Sequence, residues 1–234
     1  MSRLNFWSLK TNSASTEAGW VGAVYDELLP YVTGFLVAQH PHRKGVVCPF
    51  VPRAIKEDAI FFVSCPVEDT NSAHEVRIRE AVEYYLAYKS GHPDSFGAII
   101  ILFPKDYSPE KLVRLQVTNK TQCVKRALML GAFFKENPAP SLHSREWFPL
   151  RTPNPILVIR DLVPSDLVFL DPGNFSIFKK ITFLRSFIRR FRVEKSENVK
   201  GQVRKAHGIY CRYLTGIAAA ILGLIGLAIY AFMF

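Results

Sequence analysis

GAIIILFP, residues 97–104, is the clearest strand signal in the sequence. A short, continuous apolar run that ends at a proline is typical of a strand buried on both faces of a sheet. Three more stretches are rich in strand-forming residues. They are DAIFFVSCPV (58–67), MLGAFF (129–134) and NPILVIRDLV (154–163). We therefore predict at least four strands.

Helical patterns lie between these strands. Residues 71–91 have Asn71 as a cap, apolar residues at helical spacing and Gly91 as a stop. The other helical segments are residues 15–37, in two pieces around Pro30, a helix that begins at Ser108, and a short helix from Pro164. Because strands and helices alternate, the sequence predicts an α+β domain on a mixed or antiparallel sheet of at least four strands, with helices largely on one face.

The segment YLTGIAAAILGLIGLAIYAFMF, residues 213–234, contains no charged side chain. As a helix it would be about 33 Å long at about 1.5 Å per residue, which matches the hydrocarbon core of a bilayer. We therefore predict a transmembrane helix over residues 209–234. A buried helix of a soluble protein is the alternative, although a core helix rarely needs so many uncharged residues.

The net charge of +10 is concentrated in one part of the chain. Residues 179–212 contain eleven Lys or Arg and two Glu, a balance of +9 that leaves only +1 for the rest. Positive charge beside a membrane span stays on the cytoplasmic side, and the N-terminus lacks the apolar run of a signal peptide. We expect a tail-anchored, single-pass protein of a bacterial inner membrane with a cytoplasmic N-terminal domain, and no nucleic-acid partner.

Residues 177–192 predict an amphipathic, basic helix. Ile177, Ile181, Leu184, Ile188 and Phe191 fall at helical spacing. The basic residues on the rest of the surface are Lys179, Lys180, Arg185, Arg189, Arg190 and Arg192. Near an anionic leaflet each basic side chain contributes about 1 kcal/mol, so we expect this helix to lie on anionic membrane lipid. Packing of its apolar side on the domain and binding to nucleic acid are the alternatives.

The predicted organisation is a flexible N-terminus (1–14), a cytoplasmic α+β domain (15–176), the amphipathic basic helix (177–192), a linker (193–208) and the transmembrane helix (209–234). Within the last segment, small residues recur at three- and four-residue steps, at Gly216, Ala220, Gly223 and Gly226. Small residues let two helix backbones approach closely, so this stripe predicts a homodimer. A plain lipid-facing helix is the alternative.

The cysteines are scattered. None of the four, Cys48, Cys65, Cys123 and Cys211, belongs to a C-x-x-C pair. This spacing favours neither a disulfide framework nor a zinc site, and we expect free thiols in a reducing compartment. The sequence also lacks the glycine-rich nucleotide-binding motifs, the G-x-S-x-G motif of hydrolases and the H-E-x-x-H motif of zinc proteases.

HPHRKGVVCPFVP, residues 40–52, is the first candidate site. His40 and His42 alternate as they would on one side of a strand, and Cys48 lies between apolar residues and a proline. Three interpretations stay open: a metal site of two His and one Cys, a thiol nucleophile at Cys48, or a small buried side chain in a turn. No further pair of ligands accompanies the histidines, so we predict no metal site.

SLHSREWFPLRTPNP, residues 141–155, is the second candidate site, at the end of a long Pro-rich loop. His143, Arg145 and Arg151 could meet an anionic or haem-like ligand, because an Arg fork suits carboxylate or phosphate. For Arg151 an alternative is a structural role in which it holds loop carbonyls in place.

The two stretches resemble those of an uncharacterised bacterial family, a domain of unknown function. The matching elements are VCPFVP at Val47–Pro52, Gly131–Phe134, Leu142–His143, the PLRTPNP run at Pro149–Pro155, and Asp166–Leu170. Where the family has a histidine after the phenylalanine, this chain has Lys135, so any ligand role of that histidine is absent here. The short motifs also resemble those of bacterial haem-dependent N-oxygenases, which implies haem as a cofactor only by analogy.

Three functions are therefore hypotheses. The first is a membrane-tethered module that binds a small anionic ligand or a protein partner at the membrane face. The second is a membrane-tethered enzyme, in one version a haem-dependent oxygenase, with a pocket near Cys48, His143 and Arg151. The third is a membrane-perturbing effector, which the small-residue stripe and the amphipathic helix suggest.

Overall fold

A computed structural model describes residues 5–11, 19–65 and 71–233 of the chain. The chain divides into two compact units. The first contains Met1–Cys123 and Leu128–Asp161, and the second contains Val124–Ala127 and Leu162–Phe234. Of the segment predicted as one domain over residues 15–176, residues 124–127 and 162–176 belong to the second unit.

The first unit is built on a mixed sheet. Its described strands are β1 (Trp7–Ser8), β2 (Ile60–Ser64), β3 (Ala98–Leu102), β4 (Leu128–Phe133) and β5 (Ile156–Asp161). They lie in the order β1-β2-β3-β5-β4, with β2 and β3 parallel and the other neighbours antiparallel. The predicted α+β fold with at least four strands is confirmed, and the GAIIILFP stretch supplies the central strand.

Helices cover this sheet. The described helices are α1 (Gly19–Pro30), α2 (Val51–Lys56), α3 (Asn71–Gly91) and α4 (Pro109–Lys125). The two long helices share one face: Tyr85 of α3 and Leu115 of α4 pack in one core cluster with Ile99. The opposite face is covered by the shorter α1 and α2, whose Leu28 and Ala54 pack in a second cluster with Ile100 and Phe62.

Two elements of this unit differ from the sequence prediction. Trp7–Ser8 form an edge strand, although residues 1–14 are predicted to be flexible, and Trp7 is buried with its ring 6.2 Å from that of Phe62. The short helix α2 begins inside the VCPFVP motif, with Pro52 in its first turn, and is not predicted at all. Residues 1–4 and 12–18 of the N-terminal predictions lie outside the described residues.

The second unit contains a 3₁₀ helix (Pro164–Phe169), α5 (Ile177–Phe191) and α6 (Glu197–Met233). α5 begins at the cap Ser176, whose hydroxyl accepts the backbone N–H of Lys179, and it packs along α6. Phe183, Leu184 and Phe187 of α5 are completely buried, whereas Phe178 is 70% exposed. The apolar side of this helix therefore packs inside the protein, which is the alternative to a membrane-surface position.

α6 is a continuous helix of 37 residues. It begins at Glu197, so that only residues 192–196 separate it from α5, in place of the predicted linker over 193–208. Its most apolar 18-residue window has a mean hydropathy of 2.3 and is 0% buried. Of the described helices, it is the one long and apolar enough to cross a membrane. Because a core helix of a soluble protein would be mostly buried, that alternative does not describe α6.

Candidate ligand pocket

A pocket of about 270 Å³ lies within the first unit, on the face of the sheet that α1 and α2 cover. Both candidate stretches of the sequence contribute to its wall. The first supplies Val47, Cys48, Phe50 and Val51, and the second supplies Pro149 and Leu150. The structure thus brings together two motifs that are about 100 residues apart in the chain, and it makes them one apolar surface.

The sheet forms another part of the wall. Ile60, Ala98, Ile100, Ile156, Val158 and Arg160 all line the pocket. These residues alternate along β2, β3 and β5, and alternate residues of a strand point to the same face. In the register of the sheet, Ala98 lies beside Arg160 and Ile100 beside Val158. The sheet therefore presents an aliphatic surface with one cation next to its smallest side chain.

A tight turn positions Cys48. The backbone N–H groups of Val47 and Cys48 donate to the carbonyls of Ala38 and Leu36, both at 2.9 Å, and Gly45 takes a positive φ of 92° at the turn. The guanidinium of Arg43 donates to the carbonyls of Lys44, Val46 and Val47 at 2.8–3.1 Å. These bonds satisfy the backbone polar groups of the turn from within the turn itself. The direction in which the chain leaves the turn is therefore fixed, and Cys48 is placed in the pocket wall.

Tyr31 joins the two motifs. It begins a π-helical turn (Tyr31–Phe35) that continues α1, and its hydroxyl donates to the carbonyl of Pro149 at 2.6 Å. Burial, with a smaller contribution from Cys48, raises the pKa of this hydroxyl well above its usual value. The phenol therefore stays protonated and remains a donor. π-helical turns are rare in proteins, and those that do occur are often found at functional sites.

Aromatic residues and a close backbone contact border the pocket on another side. The rings of Phe50 and Phe96 are 5.2 Å apart. The next residue is Gly97, whose carbonyl accepts a hydrogen bond from the hydroxyl of Tyr85 at 2.9 Å. The backbone N–H of Gly97 donates to that same hydroxyl at 3.1 Å. Ser95 donates to Glu57 at 2.7 Å, and Lys89 donates to the carbonyl of Ser95. The segment that carries Phe96 is thus held by groups on both sides of it.

Arg160 gives the pocket its charge. Among the described residues that line it, Arg160 is the only one with a charged side chain. Its guanidinium donates to the carbonyl of Asp161 at 2.8 Å. A cation in an otherwise apolar wall favours an anionic group on whatever molecule enters.

The other predicted site residues do not line this pocket. Arg151 is exposed, its Nε donates to the carbonyl of Asn137 at 3.2 Å, and its guanidinium lies 4.0 Å from the centre of the Phe148 ring. The bond to a loop carbonyl agrees with the structural role that the sequence analysis gives as the alternative to ligand binding by Arg151. His143 and Arg145 are also exposed. Of the predicted ligand-binding residues, the pocket therefore contains Cys48, while Arg160 and Tyr31 are additions that no sequence motif singled out.

His40 lies in a cluster of aromatic rings beside the turn. Its ring centre is 4.4 Å from that of Trp147, 5.3 Å from that of His143 and 6.2 Å from that of His42. The backbone N–H of His42 donates to Nδ1 of His40 at 3.0 Å, so that nitrogen is not free for a metal ion. Burial, with Arg43 and the two neighbouring histidines, lowers the pKa of His40. Within the described residues, no three His, Cys, Asp or Glu are placed to hold a metal ion.

A haem does not fit the pocket as it stands. Cys48 has the chemistry of an axial ligand, since cysteine thiolate binds haem iron in some enzymes. However, drug-sized ligands occupy pockets of about 300–1,000 Å³, and a haem is at least as large as these ligands. A volume of about 270 Å³ is too small for it.

The basic residues predicted to lie on the membrane have several different surroundings. Lys180 lies 3.2 Å from Asp171, which also accepts the hydroxyl of Tyr213, and the hydrogen bond to Asp171 raises the pKa of Lys180. Arg190 lies 3.8 Å from Glu194. Lys179, Arg185 and Arg192 are exposed, and Arg189 donates to the carbonyl of Lys125 at 2.6 Å. The residues predicted for helix pairing, Gly216, Ala220, Gly223 and Gly226, are exposed along α6.

Comparison with known proteins identifies one family. A family model described as a domain of unknown function (DUF6875) matches residues 25–202, which include both pocket motifs. The searches of curated proteins and of solved structures return no match.

Proposed function

The chain belongs to this family of domains of unknown function, and we propose that it is a membrane-anchored module whose pocket binds a small, mostly apolar molecule with an anionic group. One observation carries the proposal: the two candidate motifs line one apolar pocket that contains Arg160. Small-molecule sites are typically concave and mostly apolar, with a few polar groups that fix the orientation of the ligand.

The size of the pocket limits the ligand. A volume of about 270 Å³ is the volume that about nine water molecules occupy in liquid water. The ligand, or the part of it that enters, is therefore smaller than a typical drug molecule. Its apolar body would contact Val47, Ile100 and Leu150, and a carboxylate or phosphate would meet the guanidinium of Arg160. Short-chain or aromatic carboxylic acids have this chemistry.

The anchor adds a location to this function. α6 would cross the membrane once, and the basic stretch before its uncharged segment would keep the folded part on the cytoplasmic side. Pairing of two copies along Gly216, Ala220, Gly223 and Gly226 would make the module a homodimer. A tether of this kind keeps the module close to amphiphilic molecules at the membrane surface, where their local concentration is raised.

Protection of Cys48 from a maleimide tests the pocket. In a Cys211→Ser background, Cys48 is the half-exposed cysteine and the other two are buried, so labelling of the full-length protein in mild detergent reports access to the pocket. A panel of medium-chain and aromatic carboxylic acids, each paired with its neutral amide, serves as the probe. We expect at least one acid to slow the labelling of Cys48 and its amide to do so much less.

Two substitutions provide the matched comparison. Arg160→Met removes the charge in the pocket and should weaken protection by the acid about tenfold or more, because a hydrogen bond to a charged group is lost. Arg151→Met removes a charge outside the pocket and should leave protection unchanged. Equal protection by acids and amides, or equal effects of the two substitutions, would contradict the proposed anionic ligand.

A further inference from the structure

A second concave site lies in the other compact unit. It is a cleft of about 510 Å³ between α5, the part of α6 just before its uncharged segment, and the end of α4. Thr182, Arg185, Ser186 and Arg189 line it from α5. Their spacing of three and four residues places all four on one face of that helix. This face is separate from the pocket of the first unit and is not part of the function proposed above.

The cleft is basic. Lys125, Arg185 and Arg189 are the charged residues among its described lining, and none of the lining residues is acidic. Arg189 is positioned by its hydrogen bond of 2.6 Å to the carbonyl of Lys125. In the described part of the chain, Arg185 has no hydrogen-bond or ion-pair partner. Three cations therefore line one concavity, and no acidic side chain lies among its described lining residues.

The position of Tyr210 relates the cleft to the predicted membrane. Tyr210 lines the cleft, and the uncharged segment begins three residues later, at Tyr213. Three residues of helix correspond to about 4.5 Å, and the headgroup layer on each side of a bilayer is about 5–8 Å thick. If α6 crosses the membrane, the cleft lies at the depth where lipid phosphates lie.

We propose that this cleft binds a phosphate group carried by an anionic lipid. Arg185 and Lys125 supply cations, Arg189 supplies the remaining donors of its guanidinium, and Tyr210 lines the cleft three residues before the uncharged segment. Planar guanidinium groups bind phosphate through paired hydrogen bonds, and basic pockets beside membrane helices bind anionic headgroups. Of the basic residues on α5, the headgroup thus contacts Arg185 and Arg189, while Lys180 and Arg190 are engaged with Asp171 and Glu194.

Lipid titration of the full-length protein tests this site. The protein in a neutral detergent is titrated with phosphatidylglycerol or phosphatidylcholine, and bound lipids are counted by native mass spectrometry. Lys125→Gln with Arg185→Gln should weaken phosphatidylglycerol binding about 25-fold, since each cation near an anionic headgroup contributes about fivefold. Arg192→Gln with Lys195→Gln removes the same charge from exposed positions outside the cleft and should change binding less than about twofold.

A second arm separates the two sources of phosphate. Inorganic phosphate at millimolar concentration is added to the protein with bound phosphatidylglycerol. Retention of the lipid supports a lipid site, whereas complete displacement would show a site for soluble phosphate and overturn the proposal. Equal losses in the two double variants would also overturn it, because the attraction would then be diffuse. Arg185→Lys keeps the charge and should retain most of the binding, which guards against a loss that comes from misfolding.

Discussion

Gly97 shows how a single residue fixes the pocket wall. A Cβ at this position would lie 2.4 Å from the carbonyl oxygen of Ala59 and 3.3 Å from the ring of Tyr85. The nearest atom belongs to the backbone of the residue that precedes β2, so it cannot move aside as a flexible side chain could. The absence of a side chain at Gly97 therefore lets β2 and β3 approach each other where the pocket begins.

Substitution of Gly97 by alanine should destabilise the first unit. We expect Gly97→Ala to cost about 1–3 kcal/mol or more, because added atoms force the backbone apart. Gly91→Ala is the matched control, since a Cβ there meets nothing within 4 Å. Chemical denaturation of the full-length protein in detergent measures both. Similar stabilities for the two variants would show that the contact with Ala59 is not rigid.

His40 should make stability depend on pH. Its pKa is lowered in the folded protein by burial, Arg43, His143 and His42, whereas the unfolded chain has the ordinary value of about 6.5. Below that pH the unfolded state takes up the proton first, so this contribution to stability is complete above about pH 6.5 and declines as the pH falls toward the lower folded pKa. His40→Gln should flatten the pH dependence of the unfolding midpoint between pH 7.5 and 5.5. An unchanged pH dependence in His40→Gln would contradict this role of His40.

At the scale of helices and strands, the elements that the sequence predicts well are those whose boundaries depend on local residues. The boundaries of α3 coincide with the predicted residues 71–91, because its apolar spacing and terminal glycine act locally. The sequence does not predict β1, because two residues are too few to show an alternation of apolar and polar side chains. Its strand conformation comes from pairing with β2. The position of Arg160 in the pocket is not predicted for a related reason. Arg160 lies in a stretch that is typical of a buried strand, and only the pairing of β5 with β3 places it beside Ala98.

The same contrast holds for the site and for α5. Cys48 belongs to a recognisable motif and lines the pocket, whereas His143 and Arg151 belong to the second candidate stretch and do not line the pocket. For α5, the pattern predicts an amphipathic helix correctly but does not say what covers the apolar side. Both a bilayer and a protein interior satisfy a 3.6-residue period. Tertiary packing decides between them.

Two phenylalanines of α5 distinguish packing from membrane contact. Phe187→Ala should cost about 3–5 kcal/mol of stability, because Phe187 is completely buried and its loss leaves a cavity. Phe178→Ala should cost less than about 0.5 kcal/mol, since that ring is 70% exposed. Thermal and chemical unfolding in detergent provide the comparison. If Phe187→Ala instead left stability unchanged and reduced binding to anionic vesicles, α5 would have to lie with its apolar side in the membrane.

At the scale of the whole molecule, the apolar surface of α6 requires a cover. Leu222, Leu224, Ile225, Leu227 and Phe232 are each half-exposed or more along one uninterrupted helix. An apolar surface of this kind on a soluble monomer would drive association. A bilayer covers all sides of a helix at once, whereas pairing through the small-residue stripe covers only one. Membrane insertion therefore accounts for the whole exposed surface, and a homodimer accounts for part of it.

The distribution of charge then fixes the expected orientation. Eleven Lys or Arg lie in residues 179–212, and none lies in the uncharged segment 213–234. Moving the basic stretch across a membrane is unfavourable, so the folded units should stay in the cytoplasm and residue 233 should reach the other side. In a bacterial expression host, an impermeant maleimide tests this in intact spheroplasts. Met233→Cys should be labelled, while the half-exposed Cys48 and Cys211 should be labelled only after permeabilisation. Labelling of Cys48 in intact spheroplasts, with Met233→Cys protected, would show the opposite orientation and would remove the argument from charge.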